Sequence, residues 1–244
     1  MTELPPGVEQ KALPWDSDFF GFRVGQVTVT RDIPAGQLIT CLDTLPYDLA
    51  YVVLHDPWQP LMLELSQRAQ HVSDRCVFQR PTRPGRLHRN VVAISPPATP
   101  ALQELARAAG WQSRFQIDER LRPHFSRMYD FALDRALVAS PVCAAFAYQL
   151  DGEPVGLLTI VVVGEVGEVG LLAVHADCRG QGIGAALLDV RDWWHTQHGV
   201  PKCRIVTQKS NTGAVGLYRK TGHELVEETP IFHFWSGQGR PQGK

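Results

Sequence analysis

The sequence lacks the features that mark membrane, secreted and nucleic-acid-binding proteins. No apolar run approaches the ~20 residues that a membrane-spanning helix needs. Residues 1–10 lack the basic-then-apolar pattern of a signal peptide. Lys and Arg number 24 and Asp and Glu number 25, so there is no excess of positive charge to bind nucleic acid. We therefore expect a cytoplasmic protein that binds neither nucleic acid nor a membrane.

Paired cysteines and a metal-binding pattern are also missing. The five cysteines are scattered and form no Cys-x-x-Cys pair, which predicts reduced thiols and no disulfide framework. His195 and His198 lie one helical turn apart, but the sequence suggests no third ligand. We interpret the two histidines as part of a solvated helix face and expect no metal.

Two common nucleotide-binding patterns can be set aside. The Walker phosphate loop does not occur. Gly180-x-Gly182-x-x-Ala185 formally satisfies the dinucleotide fingerprint, which needs an acid after the next strand to bind a ribose. The next strand-like run, 202–207, is followed by Gln and Lys instead. This disfavours a dinucleotide cofactor.

A glycine-rich run between a strand and a helix is present. It reads Arg179-Gly180-Gln181-Gly182-Ile183-Gly184, after a predicted strand over 166–174 and before a predicted helix over 185–195. Glycines let the backbone come close to an anion. A helix start directs unpaired N–H groups and a positive dipole end to the same place. The run therefore predicts a pyrophosphate site.

This run and a second block resemble the GNAT (Gcn5-related) N-acetyltransferase family. The family signature, Gln/Arg-x-x-Gly-x-Gly/Ala after a hydrophobic strand, matches 179–184. The second block, Asn-x-x-Ala-x-x-Leu-Tyr-x-x-x-Gly-Phe, matches from Asn211 to Gly222, and His223 replaces the usual Phe at an expected core position. The resemblance implies an acetyl-coenzyme A-dependent N-acetyltransferase acting on a small-molecule amine.

The resemblance implies an α/β (α+β) fold of the GNAT type, with a central mixed, mostly antiparallel sheet flanked by helices. From about residue 87, the predicted order β-α-α-β-β-β-α-β-α-β agrees with it. Thr99 is the predicted N-cap of a helix that Gly110 closes, and Asp151-Gly152 predicts a tight hairpin. Segment 80–86 predicts an exposed linker, because it holds two prolines and three arginines.

We therefore predict two domains. A smaller N-terminal α/β domain over 1–83 is either a separate unit or a truncated GNAT relative, and an acetyltransferase domain covers 87–244. Segment 13–21 and Ser113-Arg114-Phe115 resemble the bacterial TDP-fucosamine acetyltransferase group. That finer resemblance implies a nucleotide-linked amino sugar as acceptor, bound by Arg114 and Asp118. The aromatic side chains of 13–21 are expected in the core, and a surface ion pair is the alternative for Arg114.

The resemblance also implies how the cofactor is bound. The glycine-rich loop holds the pyrophosphate, and the backbone of the preceding strand pairs with the pantetheine arm. Asn211 either caps its helix or does so and also contacts that arm. A backbone N–H near Leu172 is the expected oxyanion donor. The residues assigned to the cofactor are Leu172, Ala173, Val174, Arg179, Gly180, Gln181, Gly182, Ile183, Gly184, Asn211 and Tyr218.

Tyr218 is the predicted general acid. In the GNAT family, which this sequence resembles, the matching Tyr protonates the departing thiolate. A phenol of pKa ~10 is protonated at neutral pH and can serve this role. Packing between helix and sheet is its alternative role. Glu168 and His175 are the main candidates for the general base, with Glu165 and a water chain as alternatives. By alternation, Glu168 is expected to share a strand face with Leu172 and Val174.

Three readings of function remain open. The first is acetyl transfer to the 4-amino group of a TDP-linked amino-dideoxy sugar. The second keeps the enzyme but changes the acceptor to a peptide N-terminus, a polyamine or an antibiotic amine. The third is a non-catalytic acyl-coenzyme A sensor, against which an intact Tyr218 argues. A homodimer is compatible with each of them.

Overall fold

The computed structural model describes residues 4–138 and 140–237. By its internal packing the chain divides into two compact units, one formed by residues 1–75 and 228–244 and the other by residues 76–227. The domains predicted at 1–83 and 87–244 have different limits and remain a prediction, because compact packing does not measure independent folding. Their ends at residues 1–3 and 238–244 lie outside the described residues.

The unit of residues 1–75 and 228–244 contains a small sheet and three helices among its described residues. Strands β2 and β3 run parallel, and β1 and the final strand pair antiparallel with them in the order β1-β2-β3-β10. Its elements are β1 (Val8–Ala12), α1 (Pro14–Phe20), β2 (Val24–Val29), α2 (Ala35–Thr44), β3 (Leu49–Leu54), α3 (Gln59–Leu65) and β10 (Glu224–Trp235). Within segment 13–21, Phe20 is buried, whereas Trp15 is 45% exposed, so its predicted core position is wrong.

The unit of residues 76–227 contains a mixed, mostly antiparallel sheet in the order β4-β9-β8-β7-β6-β5. Strands β8 and β9 run parallel there, and β5 to β8 pair antiparallel. The elements are β4 (Gln70–Pro81, from Cys76 in this unit), β5 (Val91–Ala93), α4 (Pro100–Ala109), α5 (Arg114–Ile117), α6 (Phe125–Leu137), β6 (Cys143–Leu150), β7 (Glu153–Val163), β8 (Val166–Val174), α7 (Ile183–Gln197), β9 (Lys202–Gln208) and α8 (Thr212–Lys220).

Helices cover both faces of that sheet. Alternate residues of β6 and β7 pack against α4 and α6 on one face and against α7 on the other, as strand geometry requires. This arrangement confirms the predicted fold class. Among the described residues, no helix combines the length and apolar composition needed to cross a bilayer.

The predicted helix cap at Thr99 and the predicted turn at Asp151-Gly152 are confirmed. Gly110 ends its helix as predicted, but for a different reason. Thr99 Oγ1 accepts the N–H of Leu102 at 3.4 Å and caps α4. Asp151 and Gly152 have φ values of 50° and 85°, as a tight hairpin turn requires. Gly110 ends α4 with φ −93°. A Cβ there would lie 1.9 Å from the Tyr129 ring, so close packing and not a left-handed turn requires the glycine.

The predicted exposed linker at 80–86 is wrong for Arg80, whereas Pro81, Arg83, Pro84 and Arg86 are exposed as predicted. Strand β4 continues to Pro81, and the Arg80 side chain is buried against Asp192 of α7. A Cβ at Gly85 would lie 2.2 Å from the carbonyl oxygen of Asp189, which places this backbone directly on α7. The arginines and prolines of 80–86 suggested solvent exposure. The burial of Arg80 could not be predicted, because its partner Asp192 lies 112 positions further along the chain.

Candidate active site

Strands β8 and β9 separate partway along their length. Their parallel pairing runs from Val166 with Lys202 to Val169 with Ile205, although β8 continues to Val174 and β9 to Gln208. On the other side of β8, the N–H groups of Leu171 and His175 donate to β7, each at 2.8 Å. By alternation, the N–H of Leu172 points to the open edge between β8 and β9. A ligand strand could pair there.

A β-bulge in β8 changes which side chains share a face. Leu158 pairs with Leu172 but Ile160 with Val169, so β8 holds one extra residue between these pairs. Val169 therefore packs with Leu172 and Val174 against α7. The expectation that Glu168 shares this face is wrong, because a bulge interrupts strict alternation.

The glycine-rich loop forms the start of α7. The helix begins at Ile183, two residues before the predicted start, and Gly182 precedes it with φ 82°. The N–H of Ala186 bonds to the Gly182 carbonyl, and the first N–H groups of a helix have no partner within it. Gly180 also has a left-handed φ, 77°. This is the geometry of an anion cradle.

Two hydrogen bonds and one close packing contact stabilise this loop. Arg179 Nε donates to the Val174 carbonyl at 3.2 Å, and Gln181 Nε2 donates to the Asp177 carbonyl at 3.4 Å. A Cβ at Gly184 would lie 2.9 Å from Leu217 of α8. The third glycine of the run therefore allows α8 to approach the start of α7.

Tyr218 lies inside the protein on α8. Asn211 Oδ1 accepts the Ala214 N–H at 3.2 Å, which confirms the capping role of Asn211. Tyr218 is 4% exposed, and its ring meets the ring of Phe78 edge-on at 5.6 Å in a cluster against which Leu172 packs. Burial raises the pKa of Tyr218 to about 12, against an opposing effect of Arg191. The phenol keeps its proton at neutral pH.

Comparison with known proteins connects this geometry to a family. Residues 106–223 match the sequence model of the acetyltransferase (GNAT) family. Acetyltransferase ECA0875 of Pectobacterium atrosepticum is 32% identical over 79 residues, which are 32% of this chain and 56% of that protein. The chain thus spans about half the length of this curated relative.

Solved structures agree with the family match. A GCN5-related N-acetyltransferase from Kribbella flavida has a TM-score of 0.54 and 16% identity, covering 91% of this chain and 82% of its own. The PaiA N-acetyltransferase from Thermoplasma acidophilum, in complex with coenzyme A, has a TM-score of 0.50 and 17% identity, covering 59% and 97%. The fold is the GNAT fold. The chain therefore shares with GNAT acetyltransferases a sequence match over residues 106–223 and the fold.

Within the GNAT fold, the two main base candidates lie in different surroundings. Glu168 Oε1 accepts from Arg204 Nη1 at 3.1 Å, and both side chains are about one-third exposed. His175 is exposed at the end of β8, with Nδ1 3.8 Å from an Asp177 carboxylate oxygen. Glu165 is exposed in the turn between β7 and β8. Each remains a candidate for the general base.

The predicted acceptor residues lie on or beside α5. The Arg114 guanidinium lies 4.9 Å from the centre of the Phe115 ring. Asp118 is 2% exposed and its Oδ1 accepts the Arg120 N–H at 2.9 Å, so it stabilises a turn. Ser210 Oγ donates to Gln112 Oε1 at 3.2 Å. That bond places the α4–α5 connection beside the β9–α8 turn, near the open strand edge.

A buried polar network was missed by the sequence interpretation. His195 is fully buried, and its Nδ1 lies 3.3 Å from Cys203 Sγ, so the predicted solvated face is wrong for this residue. His198 is exposed as expected. Burial lowers the pKa of His195 to about 4. The signal available was the apolar character of α7 on most of its circumference, which leaves little of it for solvent.

Asp192, His195 and Cys203 bring their ligand atoms within 4.8 Å of one another. Their surroundings fit a hydrogen-bonded cluster better than a metal site. Arg80 and Arg191 both hold the Asp192 carboxylate, so a cation would meet two guanidinium groups. Burial also raises the pKa of the Cys203 thiol, which disfavours the thiolate that binds metals.

Proposed function

We propose that this protein is an acetyl-coenzyme A-dependent N-acetyltransferase that transfers acetyl directly to a primary amine. The observation that carries the proposal is the open backbone edge of β8 after Val169, which leads into the glycine-bounded start of α7. The edge offers backbone groups to an extended pantetheine arm, and the helix start offers N–H groups to a pyrophosphate. The coenzyme A complex of the T. acidophilum neighbour supports the same cofactor here.

The residues of this chain supply three of the functions that acyl transfer needs. The Leu172 N–H is expected to donate to the developing oxyanion, a contribution typically of ~3 kcal/mol. Tyr218 is expected to protonate the leaving thiolate, since the phenol remains protonated inside the protein. Glu168 or His175, directly or through water, removes the proton of the attacking amine.

We propose that the acceptor carries phosphate, as a nucleotide-linked amino sugar of the TDP-fucosamine type does. Segment 114–127 contains four arginines, of which Arg120, Arg122 and Arg127 are exposed. Guanidinium groups match phosphate geometry well. The connection that precedes this segment lies beside the β9–α8 turn.

An acceptor screen with detection of the released thiol tests the activity. Thiol release with a TDP-linked 4-amino sugar, and not with peptide, polyamine or antibiotic amines, would support the proposal. Release only with one of those other amines would support the alternative enzyme. Binding of acetyl-coenzyme A without release to any amine would support the sensor and contradict transfer.

Binding of TDP tests the acceptor class separately. We expect millimolar TDP to raise the melting temperature of the wild type, because a ligand of the native state adds RT ln(1 + [L]/Kd) to stability. Arg114→Ala should reduce this shift. Arg135→Ala is a matched control. Its guanidinium also lies over a ring, 6.0 Å from the centre of Phe131, but in the last turn of α6, away from segment 114–127. An absent shift in the wild type would contradict a TDP-linked acceptor.

A further inference from the structure

His223 lies three residues after the end of α8 and replaces the phenylalanine of the family pattern. It is 3% exposed, so this is a polar side chain at a core position. We infer that His223 is a positioning residue that fixes Tyr218 through a tautomer imposed by Arg191. The inference rests on the role of Tyr218 in the proposed function.

Arg191 determines which nitrogen of His223 carries the proton. Arg191 Nη1 lies 3.0 Å from His223 Nε2. A guanidinium only donates, so Nε2 accepts and the proton of the neutral ring is on Nδ1. Burial and the positive charge of Arg191 lower the pKa of His223 to about 3, which keeps the ring neutral over the physiological range.

The protonated nitrogen is directed at the backbone of Tyr218. His223 Nδ1 lies 3.2 Å from the Tyr218 carbonyl oxygen and 3.0 Å from Thr221 Oγ1. The same carbonyl accepts the backbone N–H of His223 at 2.9 Å. The last carbonyls of a helix lack intrahelical partners. The backbone N–H and ring Nδ1 of His223, together with Thr221 Oγ1 at 3.1 Å, surround the carbonyl of the proposed acid.

Arg191 is itself held in place. It is fully buried, and its Nη2 and Nε donate to Asp192 Oδ1 at 2.8 and 3.2 Å. The other carboxylate oxygen of Asp192 accepts from Arg80 of β4. The chain of contacts therefore joins β4, α7 and the end of α8. Because α7 also begins at the proposed pyrophosphate cradle, it relates the position of Tyr218 to that of the cofactor.

Three substitutions at His223 separate positioning from space filling. Asparagine can place an amide donor where Nδ1 of His223 lies, and glutamine can place its amide where Nε2 lies. Phenylalanine fills the volume of the ring but offers no polar atom at either position. We expect His223→Asn to retain most of kcat and His223→Gln and His223→Phe to lose about tenfold, as small misplacements of catalytic groups do. The KM for acetyl-coenzyme A should not change. His198→Phe, at the exposed histidine that follows α7, is the control.

The rates are measured as thiol release from acetyl-coenzyme A with a TDP-linked 4-amino sugar and, without acceptor, as slow hydrolysis. The ¹⁵N shifts of the His223 ring report the tautomer independently of any acceptor. A proton on Nε2 in the wild type, or equal losses in the Asn and Gln variants, would overturn the inference. Since the Phe variant removes the polar contacts of both ring nitrogens at once and can fail to fold, the Asn and Gln pair decides.

A double-mutant cycle with Tyr218→Phe tests whether His223 acts through the phenol. If it does, His223→Gln causes no further loss of kcat in the Tyr218→Phe background. An equal loss in both backgrounds overturns the inference alone. If Tyr218→Phe by itself leaves kcat unchanged, the proposed acid fails and His223 has no acid to position.

Discussion

Two observations bear on the proposed role of Tyr218 as the general acid for thiolate departure. Tyr218 keeps its proton, since burial raises the pKa of its phenol to about 12, and it belongs to the cluster against which Leu172 of the open strand edge packs. The same burial is what packing alone would produce. Substitution must therefore separate the catalytic role of the hydroxyl from the packing role of the ring.

Tyr218→Phe keeps the ring against Phe78 and removes only the hydroxyl. We expect kcat to fall about 100-fold, within the usual range for general acid catalysis, with the dissociation constant of acetyl-coenzyme A unchanged. Thiol-release kinetics and calorimetric binding measure the two quantities. A wild-type kcat in the variant would leave Tyr218 with the packing role alone.

At the scale of elements, the end of β4 shows how a charged segment can be structural. Arg80 and Asp192 form a buried ion pair, with both side chains 6% exposed or less. Removal of one partner leaves the other charge poorly compensated inside the protein. The two residues are 112 positions apart, so the sequence pattern of 80–86 could not indicate this contact.

Arg80→Ala is expected to lower the free energy of unfolding by about 3 kcal/mol for that reason. Arg86→Ala is the matched control from the same segment, because its ion pair with Asp189 is formed by a side chain that is 77% exposed. The control should change stability by less than ~1 kcal/mol. Urea unfolding of both variants measures the difference, and similar values for the two would contradict a buried role for Arg80.

The buried histidines make stability depend on pH. Burial lowers the pKa of His195 to about 4 and that of His223 to about 3, below the ~6.5 of an exposed imidazole. The unfolded state therefore binds protons first as pH falls. The stabilisation is fully present above pH ~6.5 and is lost toward the folded-state values, by about 2 kcal/mol for each ring at pH 5.

His195→Gln should therefore flatten the pH dependence of unfolding between pH 7 and pH 5. A surface substitution, His198→Gln, should leave it as in the wild type, since His198 is exposed. Urea unfolding at the two pH values gives the comparison. An identical slope in His195→Gln and the wild type would show that His195 is not buried in its neutral form.

Element prediction worked where the signal was local and failed where it was not. The glycine-rich loop and the Asp151-Gly152 hairpin were predicted because neighbouring residues determine turn geometry. Helix α2 was missed, although its buried residues Ala35, Leu38 and Leu42 have helical spacing. The β8 bulge had no such signal, because it depends on the register against β7.

At the scale of the whole molecule, the cofactor assignment is the property to test first. We expect acetyl-coenzyme A to raise the melting temperature of the full chain, by an amount that corresponds to about 2.7 kcal/mol at 100 times its dissociation constant. NAD is the matched control, since it also carries a pyrophosphate. Thermal unfolding measures both, and stabilisation by NAD with none by acetyl-coenzyme A would contradict the assignment.

The sequence by itself determined the GNAT class of the fold and the positions of the loop and of Tyr218, because these depend on motifs of contiguous residues. Only the tertiary structure decided how these parts are arranged. The separation of β8 from β9, the face change at the bulge, and the network from Arg80 to His223 depend on contacts between distant segments. Strand register and the partners of buried charges are both set by segments that lie far apart along the chain, so no local pattern in the sequence specifies them.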